Sequence, residues 1–319
     1  MHPTLTHSAS SLLRRALALA AVVSFLAARV GAQTAAAPSP PAATPPVATN
    51  PAAGLGAVAE MVYEHDFSAG IKNTGNGELG VDHFGLGVKS SQDWGQNHLV
   101  SELAYTYINY DFTGIASPFS SVNKLGGSLY YTRDIDSQWG AFGYLAAGFA
   151  ADTSASFTDG GQVALAAGST YKFDQDLSVA VGPMFYTRPE DDTSWTLFAE
   201  ANWKFLPQWE LHAFAGDSYG VTVAYDIFND HQTVADASVE YNSHWFEISP
   251  VAAGNRSVNE TDVVLKLGVR QLFWGNYFAR GYVSMLLDRE YQFHVNGNSA
   301  SSADVEDSFG LGFELGLAF

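Results

Sequence analysis

The chain contains no cysteine. That absence excludes disulfides, thiolate metal ligands and cysteine nucleophiles. Positive charge is scarce: 15 Lys and Arg stand against 33 Asp and Glu, a formal net charge of −18. With so few cations to displace phosphate counterions, nucleic acid is excluded as a partner. Beyond the N-terminal leader no stretch approaches the ~18 uncharged apolar residues that mark a helical span. The segment Gly85-Leu86-Gly87 lacks the Lys-Ser/Thr tail of a phosphate loop. The acidic runs lack EF-hand spacing. No cofactor and no metal is expected.

What is present begins with an export pattern. Arg14 and Arg15 precede an apolar run from Ala16 to Ala28, and Val30-Gly31-Ala32 offers small residues for cleavage before Gln33. Residues 1–32 read as a signal peptide. Losing Arg14, Arg15 and Arg29 with it takes the formal charge from −18 to −21. Residues 33–55 are rich in Ala and Pro and read as an extended, solvated linker.

Residues 56–319 have one texture, clearest at the end. From Ser308 to Phe319, large apolar residues (Phe309, Leu311, Phe313, Leu315, Leu317, Phe319) alternate without a break with small or polar ones (Ser308, Gly310, Gly312, Glu314, Gly316, Ala318). A strand carries successive side chains on opposite faces, so this is a strand with one apolar and one polar face. Its length fits the roughly 9–11 residues of a tilted transmembrane strand.

The pattern recurs upstream at Val58–Phe67, Asp82–Lys89, Leu99–Tyr110, Lys124–Thr132, Trp139–Ala150, Gln162–Phe173 and Leu177–Arg188. It continues at Trp195–Phe205, Trp209–Ala215, Val221–Ile227, Ala235–Tyr241, Val263–Phe273 and Tyr277–Leu287. With the last strand that makes fourteen. Twelve is the alternative count: the facing of the Trp139 run is ambiguous, the Trp209 run is short, and the stretch from Ser243 to Asp262 can be divided differently. Short, often aromatic connections such as Asp93-Trp94-Gly95-Gln96 and Trp274-Gly275-Asn276-Tyr277 alternate with longer polar ones, among them Thr113–Ser121, Ser243–Asp262 and Asn296–Asp307. Short turns at one end and long loops at the other are the expectation for an antiparallel transmembrane β-barrel. Aromatics beside the short turns then form an interfacial girdle. No amphipathic helix is available to cover the apolar faces, so lipid is their partner. An open sheet edge would leave backbone groups that hydrocarbon cannot satisfy, so the sheet must close.

The signal peptide, the fourteen or so amphipathic strands and the terminal phenylalanine together resemble bacterial outer-membrane β-barrel proteins, porin-like in architecture. The resemblance implies outer-membrane localisation, outer-membrane lipid as the surroundings, and recognition of the C-terminal aromatic strand by the barrel-assembly machinery. Phe313, Leu315, Leu317 and Phe319 would carry that signal.

On the polar faces the charged residues include Glu60, Glu64, Glu102, Lys124, Glu200, Lys266, Arg270, Arg280 and Glu314, the candidate lumen lining. They would either pair with one another or tune ion passage through a wetted pore. Many inward positions are Gly, Ala or Ser, which would leave lumen space. The outer connections are acidic, as at Asp152, Glu190-Asp191-Asp192, Glu260, Asp262 and Glu306-Asp307, and read as solvated surface. A Ser-His neighbour pair occurs at Ser243-His244, but adjacent residues on an extended chain point opposite ways and make no dyad. The expected function is passive diffusion of small hydrophilic solutes or ions through a charged lumen. The alternatives are a non-conducting structural or surface-interaction barrel and, third, an outer-membrane enzyme.

Overall fold

Alternation over this many segments demands one large sheet. A computed structural model of the chain describes residues 56–155, 160–188, 191–216, 218–251 and 254–319. The expected leader and linker, 1–55, lie outside the described residues. The first eight strands are β1 (Ala57–Gly70), β2 (Glu78–Trp94), β3 (Asn97–Thr113), β4 (Ser121–Asp134), β5 (Trp139–Asp152), β6 (Gly161–Lys172), β7 (Leu177–Arg188) and β8 (Asp191–Leu206). Then come β9 (Trp209–Ala215), β10 (Tyr219–Asp226), β11 (Thr233–Val251), β12 (Gly254–Phe273), β13 (Tyr277–Val295), β14 (Asn298–Asp304) and β15 (Ser308–Ala318). From β1 to β14 each pairs antiparallel with the next, and β1 pairs with β15 to close the sheet. β14 and β15 both pair along β13, so they form one interrupted stave. The closed barrel therefore has fourteen staves. All fourteen expected strands are present, the Trp139 and Trp209 runs included, which decides against twelve.

Closure is made end to end. Ala57 N–H donates to the Phe319 carbonyl at 2.9 Å, and Phe319 N–H returns the bond to Ala57 at 2.9 Å. Tight turns hold the short-connection end. Trp274 and Gly275 both have positive φ (51° and 79°), the backbone of a type I′ turn, here within a three-residue connection from Phe273 to Tyr277. Trp94, Trp139, Trp209, Trp274 and Tyr277 are exposed beside these turns as the girdle.

The outward face is apolar. Leu103, Leu267 and Phe309 are 59%, 61% and 62% exposed, an arrangement that water would penalise and hydrocarbon solvates. The last strand faces as the alternation predicts: Phe309, Leu311, Phe313 and Leu315 are exposed, whereas Glu314 is directed inward. Glu314 lies opposite Val62, between the levels of Glu60 and Glu64.

Three expectations need correction. The stretch Ser243–Asp262 is not a polar loop. Its described residues extend β11 and β12 as a hairpin beyond the apolar band. Asn296–Asp307 is likewise structured: Asn296 and Gly297 (φ 48° and 76°) form the turn into β14. The inward glycines of β15 do not leave open space. A Cβ on Gly312 would collide with the Tyr282 ring, and one on Gly316 with the Phe278 ring. Aromatic side chains from β13 lie across these glycines and fill the volume that a small residue was expected to leave.

Candidate functional site

The lumen has two unlike walls. The charged wall is built by β1, β11, β12, β13 and β15. Glu64 accepts from Lys266 (3.3 Å), from the Tyr282 hydroxyl (3.0 Å) and from Ser284 (2.7 Å). Arg280 grips Asp236 through two nitrogens, at 3.1 and 2.5 Å, and reaches Glu314 at 3.5 Å. Arg270 lies opposite Arg280 across the β12–β13 pair, within the electrostatic reach of Glu314 and Asp236. Glu60 lies over Gly87, close enough to Glu102 and Glu314 to feel their charge. Planar guanidinium forks suit such crowded carboxylates because one Arg satisfies several oxygens at once.

The facing wall, from β4 to β8, is apolar and aromatic. Phe142, Ala166, Ala180 and Met184 are buried there, with Tyr130, Tyr144, Ala164 and Phe198 packed on them. The Phe142 and Phe198 rings stand 4.9 Å apart. Glu200 is held at the edge of this cluster by Asn202 (3.1 Å) and His212 (3.3 Å). The structure thus splits the nine candidates. Glu60, Glu64, Lys266, Arg270, Arg280 and Glu314 share one wall. Glu200 belongs to the other side, and Glu102 and Lys124 border a cavity.

That cavity, of about 410 Å³, lies along β3 to β7 and is roofed by Ser243 and Trp245 of the β11 extension. Lys124, Glu102, Ser128, Tyr144 and Gln162 are among its lining residues. The roof is a folded-in hairpin. β11 is six staves from β5, yet Glu247 bridges Ala151 of β5 in parallel. Gln162 donates to the Trp245 carbonyl at 2.7 Å. The other hairpin face, with Phe246, Ile248 and Val258, is fully enclosed by Ile71, Leu79, Val81, Tyr110, Phe119 and Val122 from β1 to β4 and their connections. Phe119 and Phe246 meet at 5.2 Å, edge to face. The hairpin therefore stoppers the long-loop end of the barrel.

Beneath the stopper is a polar network that sequence reasoning did not find. Arg289 donates to Glu260 (3.0 Å) and to Asp66 (3.1 Å), all three buried. Tyr110 and Tyr291 each donate to Glu260 at 2.8 Å. Glu260 is thus not solvated loop surface. Asp152, also expected to be solvated, is 5% exposed and takes bonds from Ser154 and Thr153. The network lies beyond the apolar band, where Asp288 is exposed. Burial opposes ionisation of Glu260, but Arg289, with Lys124 and His244 behind it, pulls its carboxyl below the usual range. Ser243 donates to Asn259 at 3.0 Å rather than to its neighbour His244, so no nucleophile–base pair forms there. Among the described residues no group of three or more His, Asp or Glu is arranged to hold a metal ion.

No family model and no curated protein sequence matches the chain. Among solved structures, an outer membrane channel from Pseudomonas putida F1 is similar at 14% identity, over 89% of this chain and 100% of that one, with a TM-score of 0.46. The Acinetobacter baumannii outer membrane protein Omp33 is similar at 10% identity, over 83% and 100%, with a TM-score of 0.43. The Pseudomonas putida toluene transporter TodX is similar at 8% identity, over 85% and 92%, with a TM-score of 0.39. By its own geometry, with an even and closed set of staves, short turns at one end and long connections at the other, the chain is a β-barrel of the bacterial outer-membrane type.

Proposed function

We propose that the protein is a diffusion channel of the bacterial outer membrane for small solutes, closed at its long-loop end by the β11–β12 hairpin. The observation that carries this reading is the 410 Å³ lumenal cavity beneath a hairpin joined to the far wall by few polar bonds. A barrel built only as a support has no need of such a space. The charged wall and the aromatic wall would together pass solutes with both polar and apolar parts. No catalytic cycle is required. Outer-membrane lipid surrounds the apolar band, and the barrel-assembly machinery would insert the chain by its last strand.

The second reading, a non-conducting barrel, draws on the apolar packing around Phe246 and Ile248, which seals the mouth in the closed form. Planar-bilayer recording separates the two. A variant with residues 244–259 replaced by a short Asn-Gly turn should give larger and more frequent conductance steps than the intact chain. If that variant folds, as judged by heat-modifiable gel migration, and neither protein conducts, the channel reading is wrong.

A further inference from the structure

The polar layer beneath the stopper does not balance its charge. It holds three carboxylates, Asp66, Glu260 and Asp262, against two permanent cations, Arg289 and Lys124. Arg289 bonds to Asp66 at 3.1 Å and to Glu260 at 3.0 Å. Asp262 is buried too, yet it makes no salt bridge among the described residues. Its donor is the Asn242 amide, at 3.0 Å. The other titratable groups of the layer are His83 of β2, Tyr110 of β3, His244 of β11 and Tyr291 of β13. Both tyrosines donate to Glu260, and His83 lies on Asp66 at 3.3 Å. The odd carboxylate is therefore Asp262.

Asp262 also marks a hinge. β12 pairs with β13 as far as Val263 opposite Leu287, and resumes with Thr261 opposite Glu290. Asp262 falls in this gap, level with Asp288 and Arg289, while Asn242 of β11 pairs with it without a break. Such an irregularity bends a strand. Beyond it the β11–β12 hairpin leaves the wall and reaches across to Ala151 of β5. With the hairpin docked, the Asp262 carboxyl is out of water and two residues from Glu260. With the hairpin swung out, water reaches it. Burial, and then the charge of Glu260, push the docked carboxyl up to about 6, against ~3.9 for a solvated one.

We propose that Asp262 is a proton-operated latch at the root of the hairpin, holding the stopper shut when its carboxyl is neutral and loosening it when ionised. The stabilisation is complete below ~3.9 and is lost as pH rises through about 6. Glu260 acts in the opposite sense and at lower pH, because Arg289 keeps it ionised. As a latch on the hairpin the inference stands by itself; as a gate it rests on the channel reading.

Hydrogen exchange of residues 244–259 in the purified full-length chain, in micelles and corrected for intrinsic exchange rates, tests the latch. Protection should rise about tenfold from pH 7 to pH 5. Asp262→Asn should remove that rise and be as protected at pH 7 as the intact chain is at pH 5. Asp262→Ser, also neutral, should behave likewise. His83→Gln and His244→Gln should keep the rise. Equal protection of the intact chain at both pH values overturns the proposal, as does a rise that persists in both Asp262 variants. Loss of the rise in either histidine variant would assign the proton to an imidazole and overturn it too. Protection that follows sodium chloride concentration instead of pH would mean a bound cation, with the same consequence. In planar bilayers, conductance steps should become about tenfold rarer from pH 7 to pH 5. The rise in protection without conductance at either pH would retain the latch and remove the channel. Conductance with protection indifferent to pH would do the reverse.

Discussion

Gly312 shows how a single residue is constrained here. Its missing side chain is the space in which the Tyr282 ring lies, and that ring's hydroxyl reaches Glu64. Gly312→Val should displace Tyr282 and destabilise the barrel by about 1–3 kcal/mol, the usual cost of overpacking. Gly281→Ala, where an added Cβ meets nothing within 4 Å, should be near neutral. Urea midpoints in micelles would report both. Arg289 is constrained by charge. Arg289→Met leaves Asp66 and Glu260 buried without their cation, and breaking such a pair costs about 3–5 kcal/mol. The pH dependence has a definite sign. The folded carboxyl of Glu260 is held below its unfolded value of ~4.3. Its contribution is therefore complete above that pH and fades as pH falls toward the lower folded value. The intact chain should keep its hairpin docked from pH 7 to about 5 and loosen it under stronger acid. Limited proteolysis within 244–259 at graded pH would measure this.

At the level of elements, the decisive piece is the β11–β12 extension. Alternation alone makes a strand with one wet face, yet Trp245, Phe246, Glu247 and Ile248 are consecutive and all buried. Both faces are covered because the hairpin is packed into the barrel mouth. Because the chain has no cysteine, the hairpin can be pinned cleanly. A Glu247→Cys, Ala151→Cys double variant joins the two residues that bridge across the lumen. Oxidised, it should hold the stopper shut and suppress conductance steps; reduction with dithiothreitol should restore them. Equal conductance in both states would mean that the hairpin does not gate the lumen. β13 shows why part of the site was illegible. By simple alternation Arg289 shares the outward face of Val283, Met285 and Leu287. An extra residue between Leu287 and Glu290, at Asp288 with φ 56°, re-aims it inward. No local pattern marks that bulge. Lys266, Arg280 and Glu314 lie on unbroken stretches of alternation, and their facing was readable for that reason.

At the scale of the whole barrel, the sheet is a closed ring whose first and last strands meet. Phe319 contributes two backbone bonds to Ala57 and an exposed aromatic ring at the short-turn end. Deleting Phe319 should reduce the yield of folded, heat-modifiable barrel several-fold in cells, while refolding of the purified chain into micelles should be reduced much less. Equal losses in cells and in micelles would assign the residue to stability rather than to insertion. Fold class and the lipid-facing surface followed from the sequence by itself, whereas the choice of fourteen strands over twelve needed the structure. A period of two is a property of each short segment, and hydrocarbon leaves closure as the only way to satisfy the sheet edges. The stopper, the filled glycine positions and the Arg289 network were decided only by tertiary structure. They depend on which residues meet across the lumen, such as Arg289 and Asp66, which are 223 positions apart. A side chain's inward direction is written locally, but its partner on the opposite wall is chosen by how the whole ring closes.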